Sequence, residues 1–193
     1  HNYWLNKYKI NSHYVALPLK NLSNIKLSVK TINFIGLNIT IPYKKTIINH
    51  LDHIDKKAKE IKAVNTVLNK KGKLIGFNTD IEGFGRGLEK KKNWQTKPVF
   101  DFGAGGEAEA NVSFIYSEGN KNITIINRTI ESAKKIANRY KGIKFTDKIN
   151  KNDFTEAGLI INTTSLGMIG YPDLNINLKG INKEAIIYDI VYN

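Results

Sequence analysis

Three short segments place polar side chains at the ends of apolar runs: Gly36-Leu37-Asn38-Ile39-Thr40-Ile41-Pro42-Tyr43-Lys44, Ala63-Val64-Asn65-Thr66, and Gly76-Phe77-Asn78-Thr79-Asp80. Strand ends facing a cleft are where α/β enzymes place their chemistry. Lys44 can serve as a proton donor and acceptor if partial burial lowers its pKa, and Asp80 can orient it. Asn65 and Thr40 can hydrogen-bond hydroxyl groups of a small polar ligand. Spacing alone also allows plainer roles, with Lys44 a solvated helix lysine, Asp80 an N-cap and Asn65 a turn residue.

A second constellation lies further along. Gly103-Ala104-Gly105-Gly106-Glu107-Ala108 matches G-x-G-x-x-A between an apolar run and a helix-like segment. Glycines there permit a tight turn and let backbone N–H groups approach a pyrophosphate at the positive end of the helix. About 20 residues on, where NAD-binding domains offer an acidic residue to the ribose hydroxyls, stand Asn127-Arg128-Thr129. An arginine with two small polar neighbours suits a 2′-phosphate, so NADP is the expected cofactor; a tight turn with an ordinary surface arginine is the alternative. Three carboxylates run against this expectation. Glu107 and Glu109 in the first helical turn would repel a diphosphate, and Asp101 falls in a strand that should be buried on both faces.

The elements that must position these residues alternate in period. Tyr14-Val15-Ala16-Leu17 and Ile35 to Ile41 read as strands with a helix between them. Pro42 reads as the first-turn proline of a helix carrying Lys44, Ile47, Ile48 and Leu51. A short helix over 56–61 leads into a hairpin, Val64 to Leu68 and Leu74 to Phe77, around Lys70-Lys71-Gly72-Lys73. The stretch 80–92 reads as a helix despite Gly83, Gly85 and Gly87, which suggests a hinge or a close packing contact. From Pro98 the order is strand 99–102, glycine turn, helix 107–117, strand 123–126, helix 131–140, then apolar runs at 159–161 and 185–191. This predicts an α/β protein with a parallel sheet covered by helices on both faces. Two domains are expected, residues 1–83 and 84–193, joined through the helix at about 80–92.

Composition narrows the function classes. With 193 residues, 41% hydrophobic and 10% aromatic, the chain can bury a substantial core. It contains no cysteine, so disulfides and thiolate metal sites are excluded, and no metal site is expected. No apolar run approaches the ~20 residues of a membrane span, and residues 1–10 have no apolar core of the signal-peptide kind, so a soluble cytoplasmic protein with no membrane partner is expected. Thirty Lys+Arg against 17 Asp+Glu give a formal charge of +13. Only Arg86, Arg128 and Arg139 are arginines, the lysines are dispersed apart from Lys90-Lys91-Lys92, and positioned aromatics are lacking, so no nucleic-acid partner is read. The lysine excess reads as a solvated surface with a modest pull on anionic ligands.

Taken together the motifs resemble the shikimate dehydrogenase family, in the same order along essentially the whole chain. The resemblance continues through Asn162-Thr163-Thr164-Ser165-Leu166-Gly167-Met168 and Tyr188-Asp189-Ile190-Val191-Tyr192. It implies an amino-terminal α/β substrate domain, a carboxy-terminal Rossmann-type NADP domain and a cleft between them. The implied reaction is the NADP-dependent reduction of 3-dehydroshikimate to shikimate, in aromatic amino-acid biosynthesis. Lys44 and Asp80 correspond to the family's catalytic pair, and Thr40, Asn65 and Tyr192 to substrate contacts. Gly103, Ala104, Gly105 and Gly106 correspond to the diphosphate loop, Asn127, Arg128 and Thr129 to the adenosine-phosphate end, and Thr163, Ser165 and Met168 to the nicotinamide side.

The chain also departs from the family pattern. His1-Asn2 aligns with the end of a Ser-x-Ser-Pro-x-x-His-Asn segment whose strand and two carboxylate-binding serines lie outside the sequence. Beyond Asn193 family members continue with helices that supply a substrate-binding glutamine. The family carries a small residue at Glu107, a basic one at Glu109 and an apolar one at Asp101. A catalytically silent binding module and a quinate/shikimate dehydrogenase are therefore alternative expectations. The small-molecule substrate would be handled by a monomer or homodimer.

Overall fold

The computed structural model describes residues 1–32, 34–89, 93–150 and 154–191. The Lys90-Lys91-Lys92 run and Tyr192 lie outside the described residues. The chain builds two sheets, joined where a glycine-bearing helix passes from one to the other.

The first sheet has four short strands, β1 (Gly36–Asn38), β2 (His53–Ile54), β3 (Thr66–Lys70) and β4 (Lys73–Phe77), in the order β1-β3-β4-β2. β3 and β4 form the antiparallel hairpin expected from sequence, turning through Lys71 and Gly72, both at positive φ. Helix α1 (Asn2–Lys7) buries none of its residues, whereas α2 (Ile25–Ile32) sets Ile25 and Val29 into a core with Leu22, Ile47, Val64, Val67 and Leu74. Helix α3 (Lys56–Ile61) begins at Asp55, whose side chain accepts the Lys57 amide at 3.0 Å as an N-cap.

Two expectations for this half fail. Tyr14–Leu17 forms no strand: the Asn2 side chain takes both backbone groups of Tyr14, at 2.7 and 2.8 Å, and Val15 and Leu17 are exposed. An apolar run with β propensity becomes a strand only beside a partner ladder. Pro42 opens no long helix either. Its neighbour Tyr43 closes a turn onto the Thr40 carbonyl at 2.8 Å, the Lys44 carbonyl accepts the Val64 amide at 2.8 Å, and the only helical piece that follows is one 3-10 turn, Thr46–His50. The segment bearing Lys44 is thereby tied to the start of the hairpin.

Helix α4 (Asp80–Leu88) carries the chain to the second sheet. Two of its glycines are packing contacts, while a Cβ on Gly83 would meet nothing within 4 Å. A Cβ on Gly85 would lie 2.5 Å from the Phe114 ring, and one on Gly87 would lie 2.8 Å from the Tyr188 ring, so only glycine lets this helix lie so close to its neighbours.

The second sheet is parallel throughout, with β5 (Val99–Phe102), β6 (Ile123–Ile126), β7 (Lys144–Thr146), β8 (Leu159–Asn162) and β9 (Ile186–Asp189) in the order β7-β6-β5-β8-β9. Strands β6 and β7 extend to one side of β5, and β8 and β9 to the other. Open α/β sheets bind ligands at such a reversal. Helix α5 (Gly106–Ser117) crosses from β5 to β6 and α6 (Ile130–Ala137) from β6 to β7. Alternate strand residues Val99, Ile123, Ile125, Leu159 and Ile161 pack with α4, α5 and α6 in one core. The opposite face differs from expectation. Phe100, Phe102, Ile126 and Ile160 pack against Phe154, Ala157, Leu174, Ile176, Leu178 and Ile181, which belong to irregular segments, so the described helices lie on one face only. Among the described residues no helix is long and apolar enough to cross a membrane.

Candidate functional site

A cleft of about 430 Å³ runs between the two sheets, lined on one side by Thr40, Thr79 and Asp80 and on the other by Glu107, Thr163 and Met168. Behind Asp80, Lys44 is buried to 9% exposure, and its Nζ donates to Asp80 Oδ2 at 3.0 Å. Thirty-six positions apart in sequence, the two meet because the tied segment after β1 and the first turn of α4 converge at the same end of the first sheet. Asp80 is held in turn. Its Oδ1 accepts Asn65 Nδ2 at 2.6 Å, and its backbone amide donates to Asn78 Oδ1 at 3.0 Å.

Asn65 is the hub of this arrangement. Its second amide proton goes to Thr79 Oγ1 at 3.0 Å, and its Oδ1 accepts the Thr79 amide at 2.9 Å and the Thr66 hydroxyl at 2.9 Å. Both amide protons are thus committed to protein acceptors, so Asn65 orients Asp80 and Thr79 here. Thr40 stands exposed at the rim of the cleft, beside Ile41.

Glu107 is the participant that residue types did not place. Lys44 Nζ donates to Glu107 Oε1 at 2.5 Å, so the lysine bridges a carboxylate from each half of the molecule. Burial alone would pull the Lys44 ammonium down. The hydrogen bond to Glu107, then the charge and hydrogen bond of Asp80, outweigh it and hold the group above its ordinary value of 10.5. Expected from sequence as a lysine of lowered pKa, Lys44 is shifted the other way.

The second carboxylate of that turn is disposed differently. Glu109 is fully buried against the Arg139 guanidinium, with Lys45 Nζ 3.4 Å away. Its charge is matched within the protein, so the expected repulsion of a diphosphate by Glu109 does not arise. Lys45 is held below its ordinary 10.5, first by burial and then by the charges of Arg139 and Lys135.

The glycine loop leaves the carboxyl end of central strand β5 and runs straight into α5, whose N-cap is Gly105. Gly103 sits at φ +123°, and a Cβ there would fall 2.3 Å from Thr163 Oγ1. Thr163 therefore packs directly on the loop, its hydroxyl donating to the Phe102 carbonyl at 2.7 Å and lying 3.1 Å from Asp101 Oδ1. Of the residues that follow, Gly105 has an open flank, where a Cβ would meet nothing within 4 Å, whereas a Cβ on Gly106 would lie 3.5 Å from Ala63 and 3.7 Å from the Lys44 side chain. On one side the end of β6 presents Asn127, Arg128 and Thr129, with Arg128 and Thr129 exposed and the Asn127 amide donating to the Thr129 carbonyl at 2.8 Å. On the other side the loop after β8 is shaped by Asn162. Its Nδ2 donates to the Leu166 carbonyl and to Asp189 Oδ1, each at 3.1 Å, and its Oδ1 accepts the Thr164 amide and hydroxyl. Ser165 and Met168 reach the cleft from this loop. Three polar segments thus line the carboxyl ends of adjacent parallel strands, with the positive end of α5 between them.

The comparisons with known proteins fall on the same two halves. Residues 1–67 match the family model described as shikimate dehydrogenase substrate binding domain, and residues 87–167 match that for shikimate / quinate 5-dehydrogenase. A shikimate dehydrogenase (NADP(+)) of Methanococcus vannielii is 39% identical over the whole of this chain, which covers 72% of it. The crystal structure of shikimate dehydrogenase from Aquifex aeolicus superposes with a TM-score of 0.88 at 32% identity, covering 100% of this chain and 72% of that one. The Thermus thermophilus enzyme, solved in complex with NADP(H) and shikimate, gives 0.80 at 30% identity over 97% of this chain and 70% of its own. Two family models matched in chain order, with relatives of this identity aligned along the whole of this chain, establish that the chain belongs to the shikimate dehydrogenase family.

Proposed function

We propose that the chain interconverts 3-dehydroshikimate and shikimate with NADP(H), with residues 1–83 forming the substrate domain and 84–193 the cofactor domain. The observation that carries this reading is the Lys44–Asp80 pair, whose aspartate lines a cleft with Glu107 and Thr163 on its opposite wall. The relatives named NADP-dependent shikimate dehydrogenases, and the Thermus neighbour holding NADP(H) and shikimate, support it.

The residues present fit a dinucleotide phosphate. The open flank at Gly105 leaves room beside the N-terminus of α5, Gly103, Ala104, Gly105 and Gly106 would hold the diphosphate, and exposed Arg128 with Asn127 and Thr129 would take the 2′-phosphate. Thr163, Ser165 and Met168 would flank the nicotinamide. When bound, NADPH supplies the hydride to the ketone carbon.

Everything else is done by side chains. Lys44, protonated and two-thirds committed to carboxylates, turns its remaining N–H to the substrate oxygen and delivers a proton to the alkoxide as it forms. Asp80, fixed by Asn65, holds the ammonium in line and balances its charge. Thr40 at the rim offers a hydroxyl to the ring substituents. The substrate carboxylate, an anion, is drawn by the +13 charge of the chain.

Mixing the protein with shikimate and NADP and following reduced nicotinamide tests this reading. Parallel arms with quinate and with NAD define the substrate and cofactor, since a structural neighbour is a quinate dehydrogenase solved with NAD. Absence of turnover in every arm would favour the second reading, a binding module silenced by the Glu107 contact on Lys44.

A further inference from the structure

Glu107 is where the chain departs from the family pattern and also where the structure is most tightly knit around Lys44. Asp80 reaches the lysine from its own half, locked by Asn65 and by the Asn78 turn. Glu107 reaches it from the other half, in the first turn of the helix that the glycine loop begins. The charged groups facing Lys44 are Asp80 from α4 and Glu107 from α5. One residue further on, Lys45 faces Glu109 of α5, Arg139 beyond α6, and Lys135 on α6. Two successive lysines therefore engage two carboxylates spaced by two on one helix, and the helix cannot shift without moving the partner of Lys44.

We propose that Glu107 is a positioning residue for Lys44, reporting the placement of the cofactor-binding helix to the proton donor and holding that donor in its charged form. The proposal rests on the functional reading given above. With the carboxylate in place, the ammonium is stabilised for proton delivery to a ketone being reduced. Oxidation of the alcohol needs the opposite state, a neutral amine that accepts the hydroxyl proton, and Glu107 opposes it. The side chain thus sets the pH at which Lys44 changes from proton donor to proton acceptor, without touching the substrate.

Glu107→Gln keeps the shape and removes the charge, and Glu107→Ala serves as a second variant should the amide restore the hydrogen bond. The expected result is that the pH governing shikimate oxidation falls by about 1 unit, as for loss of an opposite charge at hydrogen-bond distance. The midpoint seen in ketone reduction falls with it, because both directions pass the same proton through Lys44 and at any one pH keep the ratio set by the equilibrium. A direct titration of isotope-labelled lysine Cε, with the Lys44 signal assigned by its loss in Lys44→Arg, reads the same shift without catalysis. Wild-type and Glu107→Gln proteins whose Lys44 signals titrate together would overturn the proposal. A wild-type protein with no shikimate-dependent turnover would overturn the functional reading separately, since the titration remains readable.

Discussion

The Glu109 carboxylate, with 1% of its side chain exposed, is in contact with the Arg139 guanidinium, and the only other cation beside it is Lys45 at 3.4 Å among the described ion pairs. A buried carboxylate is tolerated only with its charge matched, and removing one partner leaves the other uncompensated. Arg139→Ala is expected to destabilise the fold by about 3 kcal/mol. That lowers the thermal midpoint by about 6–12 °C for a chain of this size. Glu109→Gln should be milder, because it leaves an exposed rather than a buried charge unpaired. Thermal unfolding followed by circular dichroism checks both, and an Arg139→Ala protein melting together with the wild type would show that the pair contributes nothing.

Lys44→Ala removes the proton donor and is expected to lower kcat by about 100- to 10,000-fold, the usual span for general acid catalysis. KM for shikimate should move far less, since the substrate's other contacts persist. Asp80→Asn is expected to fall between wild type and Lys44→Ala: Lys44 keeps Glu107 as a partner but loses the carboxylate that aligns it. Steady-state kinetics in both directions checks the order, and turnover that survives Lys44→Ala would remove the lysine from the mechanism.

Asp101 lies at 0% exposure under the glycine loop, and burial pushes its carboxyl well above the ordinary 3.8, with the hydrogen bond from Thr163 offsetting only part of that. Thr163 directs its single hydroxyl proton toward both the Phe102 carbonyl, at 2.7 Å, and Asp101 Oδ1, at 3.1 Å, so the aspartate is only weakly served. The linkage has a definite sign. Above about pH 4 the unfolded chain releases the Asp101 proton while the folded chain keeps it, so stability declines by about 1.4 kcal/mol per pH unit until the folded group also titrates. Asp101→Asn, which cannot ionise, should be more stable than wild type at pH 7 and close to it at pH 4. Denaturant midpoints at the two pH values check this; a constant difference between the proteins would mean that Asp101 is ionised in the fold.

Much of the site was legible because it is written in residue types at strand ends. Asp80, Asn65, the glycine loop and the Asn127-Arg128-Thr129 turn fall where the alternation of elements placed them, whereas Lys44 stands on a turn tied to Val64 and not on the expected helix. The sense of Lys44's shift was not legible, because it depends on Glu107, 63 positions away. Glu107 and Glu109 look alike in sequence as first-turn acids. Two residues along a helix turn a side chain by about 200°, so one carboxylate enters the cleft and the other enters the core against Arg139. The same limit applies to strands. β2 and β7, with two and three residues, are too short for a period to show, and Tyr14–Leu17 had the composition of a strand without a ladder to join.

Arg128 offers the sharpest test of cofactor choice. It stands exposed at the carboxyl end of β6, on a turn fixed by the Asn127-to-Thr129 hydrogen bond and capped by the start of α6. A charge-assisted contact to a 2′-phosphate contributes about 1.5–3 kcal/mol, so Arg128→Ala is expected to weaken NADP binding by about 10- to 100-fold. NAD has no such phosphate, and its affinity should be unchanged. Since the partners of Lys44 are Asp80 and Glu107 and do not include Arg128, kcat at saturating NADP should persist. Calorimetric titration with each nucleotide, repeated at raised salt, separates a specific phosphate contact from the general pull of a basic surface. Equal losses for NAD and NADP would assign the arginine to the fold of the turn instead of the 2′-phosphate.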